Sequence, residues 1–242
     1  MIQDADAHCR RRYEQLRTEV ETGGIEEVAI AKSVTRLSTV TESGVVLRPL
    51  ACEPTGIALG APFPEVVVEP LWSLATNFVQ QAETLVAADA PTFAFVPSPL
   101  LHITVVNRRH FDVSSDIGNL TTDEYFVVRD VIASVVKEPI TIDLRGIILT
   151  TGGRLIVPGY PTSNVLYRLR QRIVERLPQL AVNLPITVHV KLGHLLVAPP
   201  VSGANRLLKL VAMLDQQFGT TASFLDFYTP AGRIAIGRYG NG

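Results

Sequence analysis

Apolar residues along the chain follow two rhythms, one at helical spacing and one alternating as in strands. Near the N-terminus Tyr13, Leu16 and Val20 make a thin stripe, which predicts a surface helix over about residues 4–21. From about 26 to 69 the text turns to β-branched runs broken by Gly and Pro, such as Val45–Leu47 and Gly56–Leu59, predicting strands and loops. Leu71, Ala75, Phe78, Val79, Ala82, Leu85 and Val86 then share one helical face. Phe93–Val96 reads as a short strand ending at Pro97, and Leu101–Val106 as another. Val127, Val128, Val131, Ile132, Val135 and Val136 form a second helical stripe, stopped by Pro139. Ile140–Leu149 and Arg154–Val157 suit a hairpin around Thr151-Gly152-Gly153.

The order then recurs. Ser163 suits the cap of a helix carrying Leu166, Leu169, Ile173 and Leu177. The β-branched stretch Ile186–Val197 follows, then a stripe of Leu207, Leu210, Val211, Leu214 and Phe218. Phe224–Tyr228 and Ile234–Ile236 read as closing strands. Both parts run helix, histidine-bearing strand, helix, strand. No sequence repeat underlies this order, so the apparent duplication rests on the elements alone.

Composition narrows the class. At 242 residues, 47 % hydrophobic and 19 % charged, the chain can bury a substantial core. No apolar run reaches the roughly 18 residues a membrane helix needs. The N-terminus lacks the pattern of a secretory signal, and with two cysteines, Cys9 and Cys52, the expected setting is the cytoplasm. Those two thiols supply neither a disulfide framework nor a four-ligand zinc site, so no metal or other cofactor is expected. The formal net charge of −1 favours a small anionic ligand over a long nucleic-acid tract. Arg10–Arg12 is the one dense basic run.

The candidate chemistry lies in two triplets. In Leu101–Val106, alternation puts His102 and Thr104 on one face and Ile103 and Val105 on the other. Val188–Leu192 repeats this, with His189 and Lys191 opposite Val188, Val190 and Leu192. In-line cleavage of a phosphodiester needs a base for the attacking oxygen and an acid for the leaving one. An imidazole can serve as either near neutrality. A hydroxyl or ammonium two residues along could hold non-bridging phosphate oxygens.

With these triplets 87 residues apart (189 − 102), the chain resembles the two-histidine (2H) phosphoesterases, which include the bacterial RNA 2′,5′-ligase/cyclic phosphodiesterase group. His102-Ile103-Thr104 fits their first motif, with Pro97 and Leu101 upstream, and His189-Val190-Lys191 fits the second in part. The likeness in element order runs from about 56 to 236, leaving residues 1–55 as an N-terminal extension of helix and strand. It implies an α+β fold of two pseudo-symmetric lobes, antiparallel sheet with flanking helices around a central groove. It further implies His102 and His189 as the catalytic pair and Thr104 as a phosphate ligand. Lys191 departs from the motif, although as a point charge it too could bind phosphate. Arg145 and Tyr160 stand where the family often lines its groove. The implied partner is a small phosphodiester, nucleotide or RNA end, cleaved or, in a degenerate member, only bound.

Other histidines carry less. His194 falls on the face opposite His189 unless Gly193 marks a bulge. His110, beside Arg108 and Arg109, reads as a solvated loop or a groove-rim phosphate contact. His8 adjoins Cys9 in a weak helix, and Trp72 reads as core.

Overall fold

The computed structural model describes residues 5–41, 44–47, 60–63, 65–86, 93–96, 101–106, 120–180, 187–229 and 232–234. Helices α1 (Ala5–Gly23) and α2 (Glu27–Leu37) lead into a hairpin of β1 (Ser38–Thr41) and β2 (Gly44–Leu47). Strand β3 (Gly60–Pro62), helix α3 (Glu65–Val86), and strands β4 (Phe93–Phe95) and β5 (His102–Thr104) follow. Helix α4 (Thr122–Val135) precedes β6 (Ile140–Arg145), β7 (Ile148–Leu149) and β8 (Arg154–Pro161). The chain continues through α5 (Val165–Arg176), β9 (Val188–Leu195) and α6 (Val201–Asp215). It closes with β10 (Gly219–Phe224), β11 (Phe227–Thr229) and β12 (Gly232–Ile234).

The fold is α+β: helices packed on an antiparallel sheet that curls into a half-barrel. Strand order is β10-β6-β8-β9-β5-β3-β11-β12, with β4 also pairing β9 and β7 pairing β8. The histidine-bearing strands β9 and β5 are therefore neighbours at the middle of this path.

Alternation decides which face each strand buries. Leu101, Ile103 and Val105, Val188, Val190 and Leu192, Leu155 and Val157, and Ile140, Ile142 and Leu144 all enter the main core. Helices α3, α4, α5 and α6 cover that face with the apolar stripes read from the sequence, α3 packing on α6 and α4 on α5. Thr121 caps α4 by a capping box with Glu124. Across the sheet, α1 lays Cys9 and Tyr13 on Ile148 and Ile156, with Leu16 and Tyr160 at the margin.

Several expectations need correction. Residues 27–37 are helical, although the β-branched text around them predicts strand, because Val28, Ala29, Ile30 and Ala31 serve a helix whose Ile30 reaches the core. Helix α3 begins at Glu65, its first turns carrying Pro70, and α6 begins at Val201 and ends before Phe218. Asn164, with no side-chain cap bond, takes the cap position of α5 in place of Ser163. Strand β8 runs past Pro158, since a proline removes one ladder donor but leaves its neighbours able to pair. Tyr160, expected after the hairpin, is consequently a strand residue facing Asp143. Gly146, at φ +71°, breaks β6 from β7 in what reads as one strand. A short break at 225–226 likewise separates β10 from β11. Cys52, Gly56–Leu59, Pro97, Arg108, Arg109 and His110 lie outside the described residues. No helix among the described residues is long and apolar enough to cross a membrane.

Candidate active site

The pairing of β5 with β9 sets the geometry. Ile103 and Val190, the middle residues of the two triplets, are register partners. In an antiparallel pair, directly opposed residues share a face. His102 therefore falls opposite Lys191, and Thr104 opposite His189, all on the face away from the main core. The two imidazoles stand on a diagonal whose backbone separation is about 7–8 Å, within reach of one phosphate between the rings. Pro62 flanks His102 from β3, and Pro158 flanks His189 from β8. All four side chains are part-buried, and His102 is close enough to act electrostatically on His189.

His189 is held in detail. The Thr187 hydroxyl meets its Nδ1 at 3.4 Å. Packing by the surrounding protein pushes its pKa down from 6.5 to about 4, and the charges of Arg170, Arg154, His102 and Lys191 add to the effect. The ring is thus neutral at pH 7, able to accept a proton or a hydrogen bond. Such a concentration of positive charge favours an anion at this place.

Two neighbours were not singled out by sequence reasoning. Arg170, on α5, is 2 % exposed and donates through Nε to the Val105 carbonyl at 3.0 Å and through Nη2 to the Thr104 carbonyl at 2.7 Å. Burial lowers its pKa to about 10, so it stays charged near neutrality. A charged residue four after Leu166 and three before Ile173, inside the buried stripe, is the signal that could have found it. Tyr13 donates its hydroxyl to the Val188 carbonyl and accepts from the Gly159 amide at 3.4 Å, pinning the start of β9 from α1.

Comparison with protein-family models finds no match to this chain, and comparison with curated proteins finds no relative. Neither assigns a role to the pair.

The remaining candidates are not all brought to the pair. Arg145 lies on the same face two strands from His189, about 10 Å away at ordinary strand spacing, and is exposed and ion-paired to Asp143 at 2.8 Å. Tyr160 is packed beneath α1, edge-on to Tyr13 with centroids 5.5 Å apart and under the Arg10 guanidinium at 4.7 Å. That packing occupies the ring that sequence reading offered as groove lining. His194 does turn to the face of His189, because the ladder shifts register at Leu192: Ile156 pairs with Lys191, but Leu155 with Gly193 and Arg154 with His194. It is nonetheless 3 % exposed, and its Nδ1 meets the Leu195 carbonyl at 2.8 Å, so it serves the packing of β9. His8 is exposed beside buried Cys9. Trp72, read as core, is 41 % exposed, its ring tilted against Phe95 at 5.8 Å between centroids. Among the described residues no group of three or more His, Cys, Asp or Glu could hold a metal ion.

Proposed function

We propose that the chain is a phosphodiesterase of the two-histidine kind, acting in the cytoplasm without a metal on a 2′,3′-cyclic phosphate or a related nucleotide or RNA-end phosphodiester. The observation that carries this reading is the register of Ile103 on Val190, which sets two His-x-polar triplets about a local two-fold relation on one face. The wider pattern agrees with two pseudo-symmetric lobes. Along the main strand path four strands lie on either side of the β9–β5 boundary, and the helices pack as two pairs, α3–α6 and α4–α5, as two related lobes would have them.

The assignment starts from His189, whose neutral ring suits a base, and leaves the acid to His102. Neutral His189 takes a proton from water as the water oxygen bonds to phosphorus. The bond from phosphorus to one ribose oxygen breaks, and His102 gives its proton to that oxygen. The product is a phosphate monoester beside a free hydroxyl. Thr104 and Lys191 hold the non-bridging oxygens, where negative charge concentrates in the transition state. Nothing in these steps needs a Lewis acid, so turnover should persist in a chelator.

Lys191, standing where the resembled motif has a hydroxyl, favours a second reading: the same groove holds a phosphorylated ligand without cleaving it. A screen of purified protein with chelator against 2′,3′-cyclic nucleotides and short 2′,5′- and 3′,5′-linked oligonucleotides separates the two. Hydrolysis of any of them supports the first reading. Saturable binding with no turnover supports the second.

A further inference from the structure

We propose that Arg170 is a positioning residue of this site, a buried cation whose planar fork clasps the strand of the first triplet. The catalytic meaning of this role rests on the phosphodiesterase reading, but the contacts do not.

Arginine is almost never fully buried without a reason, because removing a guanidinium from water costs several kcal/mol. Here it sits within the apolar stripe of α5 among Leu166, Leu169 and Ile173, where a leucine would pack without that cost. What the guanidinium does there is specific. Its planar fork spans two successive carbonyls, those of Thr104 and Val105, at 2.7 and 3.0 Å. Fixing those two peptides fixes the direction of the Thr104 side chain and, two residues back, that of His102. Helix α5 follows β8 and precedes β9, so the clasp ties the helix of the second half to the strand of the first.

The same charge acts on the other histidine. The charges that act on His189 come from several elements: Arg170 from α5 across the sheet, Arg154 from β8, His102 from β5 and Lys191 from β9 itself. Arg170 is first among these charges in its effect and the one buried among them. A surface cation would be screened by solvent and salt, whereas one in the interior is not. Arg170 thus adds an unscreened push to the burial that already disfavours the charged ring, while Thr187 orients that ring through Nδ1.

Two substitutions separate the clasp from the charge. Arg170→Gln keeps hydrogen-bond donors but removes the cation. It should raise the His189 midpoint, read by NMR of the imidazole ring, by about one pH unit, the low end of the scale for loss of an interacting like charge. The acid limb of any hydrolysis profile should move by the same amount. Arg170→Lys keeps the charge but cannot span both carbonyls, so it should leave the midpoint low while kcat falls about tenfold, the usual scale for one lost charge-assisted bond. An unchanged midpoint in Arg170→Gln, or full kcat in Arg170→Lys, overturns the proposal. Ring titration needs no substrate, so absence of hydrolysis would reject the phosphodiesterase reading and leave the Arg170 effect measurable. Should neither variant fold, the unaltered protein still decides: a His189 midpoint at or above 6 overturns the role of the charge.

Discussion

Thr187 and Arg170 make His189 a different kind of imidazole from a surface histidine, one oriented through Nδ1 and kept neutral by burial and charge. Its protonation below pH 7 is opposed, so a rate that depends on the neutral ring should hold well below pH 6.5, where an ordinary histidine has already lost half its neutral form. A rate–pH profile on a 2′,3′-cyclic nucleotide checks this, with an acid limb falling at pH 6.5 as the contrary result. Lys191 is the residue on which turnover and simple binding divide. As a working phosphate ligand its loss in Lys191→Thr should raise KM about 10- to 100-fold, the scale of one hydrogen bond to a charged group. A gain of turnover in that variant would mark the natural groove as degenerate. Both triplets were legible in the sequence because alternation alone fixes which side chains share a face. Arg170 was not, because a charged residue inside an apolar stripe reads as an interruption until its partners are seen.

A glycine and a bulge decide how the central strands fit. A Cβ on Gly193 would overlap the Phe93 ring and the Ala94 carbonyl, so only glycine lets β4 lie against β9. Gly193→Ala should destabilise the protein by about 1–3 kcal/mol, read by denaturant unfolding, and an unchanged midpoint would refute the close fit. The irregularity at Leu192 brings His194 to the face of His189 without opening it to solvent. That bulge was visible in the sequence only as a glycine in strand text. The strand read as Arg154–Val157 misled in the other direction, since β8 continues to Pro161 and carries Tyr160 under α1. Helix α2 was missed for a related reason, since short runs of Val, Ile and Ala suit either element and tertiary burial of Ile30 decides.

At the scale of the molecule, element order was legible and spatial order was not. The C-terminal strands β11 and β12 return to pair beside β3, in the half of the sheet that holds His102, and α1 crosses to the sheet face that holds the histidines. Both are long-range contacts that no local pattern encodes. Burial of His189 and His194 also ties stability to pH. Each has a folded pKa of about 4 against 6.5 unfolded, so between these values the unfolded chain binds more protons. Stability is full above pH 6.5, falls on acidification towards pH 4, and changes no further from these groups below it. The loss is on the order of 3 kcal/mol per histidine, and His194→Gln should remove about half of it. Thermal melting at pH 7 and pH 4.5 measures both.

The most direct test compares hydrolysis of 2′,3′-cyclic nucleotides by the unaltered protein, His102→Ala and His189→Ala, in chelator and with folding verified by thermal melting. Loss of about 10²- to 10⁴-fold in each variant is the expected result for an acid–base pair. A folded variant of either kind that hydrolyses the substrate at the original rate would contradict it.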